Sequence, residues 1–449
     1  MARSAWAGTS LATLLQFVLA LVTSTILARL LGPAGRGAFA AVTIWATIAT
    51  YIGNLSLNEA TALLLASPKY RDPSSARLLS SVALSLQILA AAATAVCTAL
   101  ILPHIMGSHR AERAPVAVIT ALIFVPLTFA DLHQKAVLQG EGKFNAMNGL
   151  RLVQPLAYAV GLIALALMHQ FTWRAVIVAF LGSVFVSAAI GAILTRSVVP
   201  RWQGQVGRLV LGVGLRFQSA NLALYASQEI DKVLVVAMLD DTSVGLYVSA
   251  LAVATIGFSI ASQTSAILLL PAVSAAQDPE QRSRMICRAA HAAMLALLII
   301  NGSAAIVTPV FVPLLFGKNF APAAPITLIL LIGMSLRGVR FTIDRGLRAT
   351  GSILPGIIGE LSCVGSFILL SLIVVSRMGV VGLAWSASFG QLVAFVVVSV
   401  LASRRLNVSV AELWGLRNQA HASVMKEAFH DLRAMVTRQL SAAAAQRRS

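Results

Sequence analysis

The chain has 449 residues, of which 58% are hydrophobic and 11% are charged, where a soluble domain carries about 25% charged residues. This excludes a disordered chain, a disulfide scaffold and a soluble catalytic domain, and leaves a protein that crosses a membrane many times on short loops. Lys and Arg outnumber Asp and Glu by 34 to 16, a formal charge of +18. With no Arg-rich, aromatic-interleaved domain for nucleic acid, the excess reads as cytoplasmic loops facing an anionic leaflet.

The first apolar run, near 9–31, follows only Arg3 and lacks a small-x-small cleavage site, so it is expected to be a retained span. The second span, near 38–66, carries a polar stripe. Thr43, Thr47, Thr50, Tyr51, Asn54, Asn58 and Thr61 fall within about 100° of one face, with Glu59 at its edge. Such residues serve equally as glue between helices or as a cavity lining. Spans three to six are expected near 78–102, 115–138, 147–168 and 173–195.

The seventh span, near 209–239, is the least ordinary. Gln218, Asn221, Tyr225, Gln228, Glu229 and Lys232 share a sector of about 100°, and Asp231 lies beside them. Lipid cannot face that stripe, since one charge near the bilayer centre costs roughly 2.5–3.5 kcal/mol. It must face a wet cavity or a partner helix. Glu229 and Lys232 are three residues apart and can also pair with each other.

The remaining spans are expected near 244–271, 286–312, 323–348, 353–376 and 380–403, which makes twelve helices. In the tenth, Arg337, Arg340, Asp344 and Arg348 repeat at helical spacing, either for topology or for ligand contact. Glu360 stands alone in the eleventh, with no sequence neighbour able to pair it. After Arg405, Ser409-Val-Ala-Glu412 has capping-box spacing. Trp414, Met425, Phe429, Leu432, Val436 and Leu440 then suggest an amphipathic helix on the cytoplasmic leaflet.

Most Lys and Arg side chains fall in loops on one side of this arrangement. The other side holds Arg29, Arg36, Arg110, Arg113, Arg174, Lys318 and Arg377. The asymmetry places both termini in the cytoplasm. Trp6, Trp173 and Trp202 fall at helix ends, as interfacial anchors do. Cys97, Cys287 and Cys363 are far apart and are expected as small core residues without a disulfide.

The two halves look alike. The segment Ala28–Val42 can be laid on Val236–Ala250, and the third and fourth spans then meet the ninth and tenth. A repeat of six spans keeps its topology, so an axis along the membrane normal is expected, with a cavity between the copies. The domains are read as an N-terminal six-helix lobe at 1–200, a C-terminal six-helix lobe at 201–405 and a basic amphipathic tail at 406–449. The fold class is therefore an all-α membrane protein in two lobes around a central cavity.

Signs of catalysis are missing. There is no G-x-x-x-x-G-K-[ST], no Gly-x-Ser-x-Gly and no Cys/His cluster at metal-ligand spacing. An enzyme, a metal site and a cofactor are not expected.

Four motifs carry a resemblance: Ala28-Arg-Leu-Leu-Gly-Pro-x-Gly-x-Gly, Leu138-Gln-Gly-x-Gly-x-Phe-x-x-x-Asn148, Asp231-Lys-Val-Leu-Val and Leu315-Phe-Gly-Lys-Asn-Phe320. In this order on twelve spans, the chain resembles the polysaccharide transporter (oligosaccharide flippase) family of the multidrug/oligosaccharidyl-lipid/polysaccharide exporter superfamily, over about residues 8–405. The resemblance implies a Wzx-type flippase in the bacterial inner membrane. Its implied substrate is an undecaprenyl-pyrophosphate-linked oligosaccharide for O-antigen, capsule or exopolysaccharide. Membrane lipids, a polysaccharide polymerase and a chain-length regulator are the implied partners.

A charged headgroup cannot cross hydrocarbon unaided. Arg or Lys matches phosphate, and Asn, Gln and Thr match sugar hydroxyls. The expected cavity residues are Arg29, Thr47, Asn54, Asn58, Gln218, Asn221, Gln228, Lys232, Arg337 and Arg340. Lys232 and Arg29 are expected to draw the pyrophosphate, and Arg337 and Arg340 to guide its approach from the cytoplasm. Glu59, Glu229, Asp231 and Glu360 are candidates for coupling to an ion gradient; consumption of the product beyond the membrane is the other source of direction. The rival readings are a cation-coupled drug antiporter of the same superfamily and a major-facilitator-type carrier. The latter's basic turn after the second span is not matched by Ser67–Pro73.

Overall fold

The structure is a computed structural model and describes residues 2–70, 72–106, 112–196 and 199–414. It is helical throughout, with no strand among the described residues. The α-helices are α1 (Ala2–Gly53), α2 (Leu57–Ala66), α3 (Pro73–Ile105), α4 (Ala114–Gly140), α5 (Phe144–Leu167), α6 (Trp173–Leu194), α7 (Gly204–Met238), α8 (Asp241–Thr264), α9 (Leu270–Ala275), α10 (Pro279–Phe316), α11 (Ala323–Ala349), α12 (Leu354–Leu406) and α13 (Val410–Leu413). A π-helical turn, Ser265–Leu269, joins α8 to α9.

Among the described residues, nine helices are long and apolar enough to cross a bilayer. Two of these are helix pairs. Within α1, Gly32 has φ 67° and ψ 179°, and within α12, Gly379 has φ 54° and ψ −134°. Only a residue without Cβ adopts these angles cheaply, and Pro33 then starts a new helix. The seventh expected span is α7, which runs 35 residues but is too polar to stand among the nine. Each of the twelve expected segments is thus largely helical.

Side chains cap several of the helix starts. Asp72 accepts from the amides of Ser74 (3.1 Å) and Ser75 (3.2 Å) ahead of Pro73. Thr172 accepts from the Ala175 amide at 3.2 Å. Ser409 accepts from the Glu412 amide at 3.1 Å, which is the expected start of a helix after Arg405. The amphipathic stretch expected from Met425 to Leu440 lies outside the described residues.

The chain forms two compact units. The first comprises Met1–Ala252, Pro309–Ile326 and Val374–Leu383. Its interior includes Leu57, Ala60, Leu79, Ala83, Val137 and Val210, which join α2, α3, α4 and α7. The second comprises Val253–Thr308, Thr327–Ile373 and Ala384–Ser449. Its core gathers Leu297, Val339, Ile343, Leu347, Val398, Ala402 and Leu413. There α13 docks through Trp414, which stacks on Phe395 (5.3 Å) and donates to Ser399 Oγ (3.2 Å). All three cysteines are free; Cys287 and Cys363 are buried, whereas Cys97 is exposed on α3 instead of lying in the core.

Candidate functional site

The second span is not continuous. After α1 ends at Gly53, Leu55 and Ser56 both take φ 51°, and α2 restarts at Leu57. A break at membrane depth frees backbone carbonyls that need donors. Gln218 of α7 supplies them, its Nε2 donating to Tyr51 O (3.0 Å) and Ile52 O (3.2 Å). Ser56 Oγ donates to Gln218 Oε1 at 2.8 Å, and Asn221 Nδ2 donates to Ser56 Oγ at 3.0 Å. One turn further, Tyr51 and Tyr225 stack at 4.3 Å with 11° between their planes. The two stripes seen in the sequence, on the second and seventh spans, therefore face each other inside the first unit. Asn54 is buried at 5% exposure on the break itself, and Asn58 and Glu59 are half-buried in the first turn of α2.

Beyond the tyrosine stack lies a cavity of about 470 Å³. Its polar walls are Thr23, Ser24, Arg36, Thr43, Thr47, Tyr51, Glu229 and Lys232. Thr43 and Thr47 donate to Phe39 O (2.9 Å) and Thr43 O (3.0 Å) one turn back. Their hydroxyls are thus spent as donors within α1 and present acceptor lone pairs. Lys232 Nζ is 2.6 Å from Glu229 Oε2. With Arg36 opposite, two cations and one carboxylate line the space.

Arg36, expected in an outward loop, lies on the second half of α1 and lines this cavity. It is 4% exposed, and its Nη1 and Nη2 donate to Ser24 O and Ser24 Oγ, both at 2.7 Å. The guanidinium also sits 5.2 Å from the centre of the Phe316 ring. It therefore stitches the two halves of α1 together across the Gly32–Pro33 break. The signal was in the sequence. At 100° per residue, Arg36, Thr43 and Thr47 lie within about 40° of one another. A second span beginning near 38 leaves Arg36 off its face, whereas the helix starts at Pro33.

The other expected residues are distributed differently. Arg29 is not in this cavity. It donates to Leu315 O (2.9 Å) and Leu314 O (2.5 Å) at the end of α10, beside a separate pocket with Lys318 and Asn319. Asp231 accepts from the Lys232 amide (2.8 Å) and Tyr247 Oη (3.1 Å). Gln228 is half-buried outside the cavity lining.

In the second unit, Arg340 and Glu360 form one buried ion pair, with Nη1 to Oε1 at 2.9 Å and Nη2 to Oε2 at 3.2 Å. Gln391 Oε1 accepts from the same guanidinium at 3.4 Å. The partner that Glu360 lacked in its own stretch of sequence comes from the helix before it. Arg337 is 7% exposed and lies 4.8 Å over the Phe258 ring.

A further ion pair joins a buried carboxylate on α4 to a half-buried lysine. Asp131 on α4 takes Lys135 Nζ at 2.5 Å and Ser187 Oγ of α6 at 2.6 Å. Among the described residues, no group of three or more His, Cys, Asp or Glu side chains is placed to hold a metal ion.

Solved structures share this fold. The chain is similar to the lipid II flippase MurJ in an inward closed conformation, at 13% identity and a TM-score of 0.74, over 90% of this chain and 88% of that one. It is similar to an inward-facing multidrug resistance MATE family transporter of the MOP superfamily, at 16% identity and a TM-score of 0.68, over 87% of this chain and 94% of that one. A MOP superfamily transporter from Pyrococcus furiosus matches at 17% identity and a TM-score of 0.50, over 90% of this chain and 94% of that one. No curated protein matches the sequence. The family model described as "Polysaccharide biosynthesis protein" matches residues 26–325. The chain is thus a multi-pass membrane protein that belongs to the polysaccharide biosynthesis protein family, on the fold shared by MOP-superfamily flippases and transporters.

Proposed function

We propose that the protein is a flippase that carries an undecaprenyl-pyrophosphate-linked oligosaccharide from the cytoplasmic to the outer leaflet of the bacterial inner membrane, with both termini in the cytoplasm. The observation that carries this reading is the cavity in which Arg36 and Lys232 stand among hydroxyl groups. A diphosphate needs cations to replace its water, and sugars need acceptors and donors at short range. Thr43, Thr47 and Tyr51 provide the second kind of contact and the two cations the first.

Lys232 is neutralised by Glu229 until an anion competes for it. Proton uptake by Glu229 would release Lys232 toward the diphosphate, and proton loss would reclaim it. This makes Glu229 the preferred coupling group among the four acidic candidates. The polyprenyl chain stays in lipid while the headgroup crosses. A cation antiporter is the weaker reading, because an excess of cations in the cavity repels a cationic drug. Surface O-antigen, capsule or exopolysaccharide is the expected end product, with a polymerase and a chain-length regulator acting after translocation.

The test is a strain whose surface polysaccharide depends on this gene. Loss of the gene is expected to trap lipid-linked oligosaccharide on the cytoplasmic leaflet, and Lys232→Ala is expected to reproduce that phenotype. Normal surface polysaccharide with Lys232→Ala at normal protein level would remove Lys232 from the mechanism.

A further inference from the structure

A second cavity system in the first unit has no part in the reading above. Trp45, Ala49 and Ile52 of α1 and Ala93, Cys97 and Ile101 of α3 border a groove of about 470 Å³ with almost wholly apolar walls. Its floor is a close contact of the two helices, since a Cβ on Gly53 would lie 1.9 Å from Thr94 Oγ1. Ile52, Ile101 and Ile105 are 55%, 53% and 52% exposed, so the groove opens sideways from the helices.

At one end the groove meets a cavity of about 450 Å³ with a different lining: Arg113, Leu239, Asp240 and Asp241. Trp45 and Ile105 belong to the walls of both. At that junction the indole Nε1 of Trp45 is buried without a hydrogen-bond acceptor. A buried donor of this kind calls for an explanation.

The polar end carries both signs of charge. Arg113 pairs with Asp241. Asp240 is exposed, and the Ser243 hydroxyl, with the amides of Ser243 and Thr242, holds its carboxyl below the usual carboxylate range. Among the described residues of the lining, one guanidinium and two carboxylates therefore stand at the mouth of a hydrocarbon-lined slot.

We propose that this groove and pocket form one binding site for a phospholipid with a zwitterionic, amine-bearing headgroup. An acyl chain lies along α1 and α3, where only apolar contact is offered. The ammonium group meets Asp240, the phosphate meets the Arg113 guanidinium, and Trp45 Nε1 donates to a phosphate or ester oxygen. Tryptophan suits such a boundary because its ring is apolar and its N–H is polar. Charge decides against an anionic lipid. Phosphatidylglycerol or a polyprenyl phosphate would bring a phosphate and no cation to a pocket with an acidic excess.

Native mass spectrometry of the full-length protein in detergent, titrated with phosphatidylethanolamine or phosphatidylglycerol, reads the preference directly. Phosphatidylethanolamine is expected to bind at least about tenfold more tightly. Ala93→Trp, which fills the groove, is expected to remove that advantage, and Asp240→Lys to turn it toward phosphatidylglycerol. Cys97 provides a reading on the unaltered protein, because it lines the groove and is the exposed one of the three cysteines. Its maleimide labelling in nanodiscs is expected to slow at least about threefold when phosphatidylethanolamine replaces phosphatidylglycerol. Equal binding of the two lipids, tighter binding of a polyprenyl phosphate, or Cys97 labelling that ignores the headgroup would overturn the proposal.

Discussion

Gly37 and Gly245 meet backbone to backbone. A Cβ on Gly37 would lie 1.7 Å from the carbonyl oxygen of Asp241, and one on Gly245 would lie 2.0 Å from that of Pro33. When Ala28–Val42 is laid on Val236–Ala250, these two glycines fall on each other. Positions that correspond in this alignment therefore touch within the first unit.

Either glycine replaced by alanine forces the start of α8 away from the second half of α1. Gly245→Ala is expected to destabilise the protein by about 1–3 kcal/mol, as overpacking does. Gly302→Ala is the control, because nothing lies within 4 Å of its added Cβ. Thermal unfolding of the purified protein compares them; equal melting temperatures would contradict the close approach.

Arg36 tests whether the cavity needs a guanidinium or only a charge. Lysine cannot reach Ser24 O and Ser24 Oγ together. Arg36→Lys loses one charge-assisted hydrogen bond, worth about 1.5–3 kcal/mol, and is expected to reduce surface polysaccharide by about tenfold or more per molecule in the membrane. Unchanged transport with lysine would show that charge alone suffices.

Arg340 and Glu360 form a pair whose halves depend on each other. Arg340→Met alone or Glu360→Leu alone leaves one buried charge unmatched and is expected to cost about 3–5 kcal/mol. The double variant should recover most of that loss. A double-mutant cycle on melting temperature or on the fraction resisting denaturant measures it, and simple addition of the two losses would mean that the pair is not formed.

Asp72 provides a pH test outside the membrane spans. The Ser74 hydroxyl, with the Ser75 and Ser74 amides, lowers its pKa below the ordinary value. A carboxyl with a folded pKa lower than its unfolded one stabilises the cap fully above the unfolded value. That contribution fades as pH falls through about 4 toward the folded pKa. Hydrogen exchange at Ser74 and Ser75, corrected for intrinsic rates, should show protection at pH 6 that shrinks at pH 3. Asp72→Ala should lack it at both.

How legible was the site? The stripes on the second and seventh spans were readable because charge and amide groups cannot face acyl chains. Their mutual contact through Tyr51, Tyr225, Gln218 and Ser56 matches that logic. Arg36 escapes a second span that begins near 38, because the helix restarts at Pro33, after the Gly32 break. Arg29 was grouped with Lys232 by charge, yet its guanidinium spends itself on the carbonyls of Leu314 and Leu315. Lys135 stands four residues beyond Asp131, a spacing the sequence displays, but nothing local reveals Ser187, which reaches Asp131 from another helix.

The amino-acid order alone determined where long helices form and which face of each could not touch lipid. Those properties follow from hydrophobic length and a 100° step, both local to one segment. Which hidden face meets which was decided only when the helices packed: Arg36 with Ser24, Arg340 with Glu360, Gly37 against Gly245. Pairing across helices depends on backbone breaks and on side-chain reach through space, and neither is written in the periodicity of a single span.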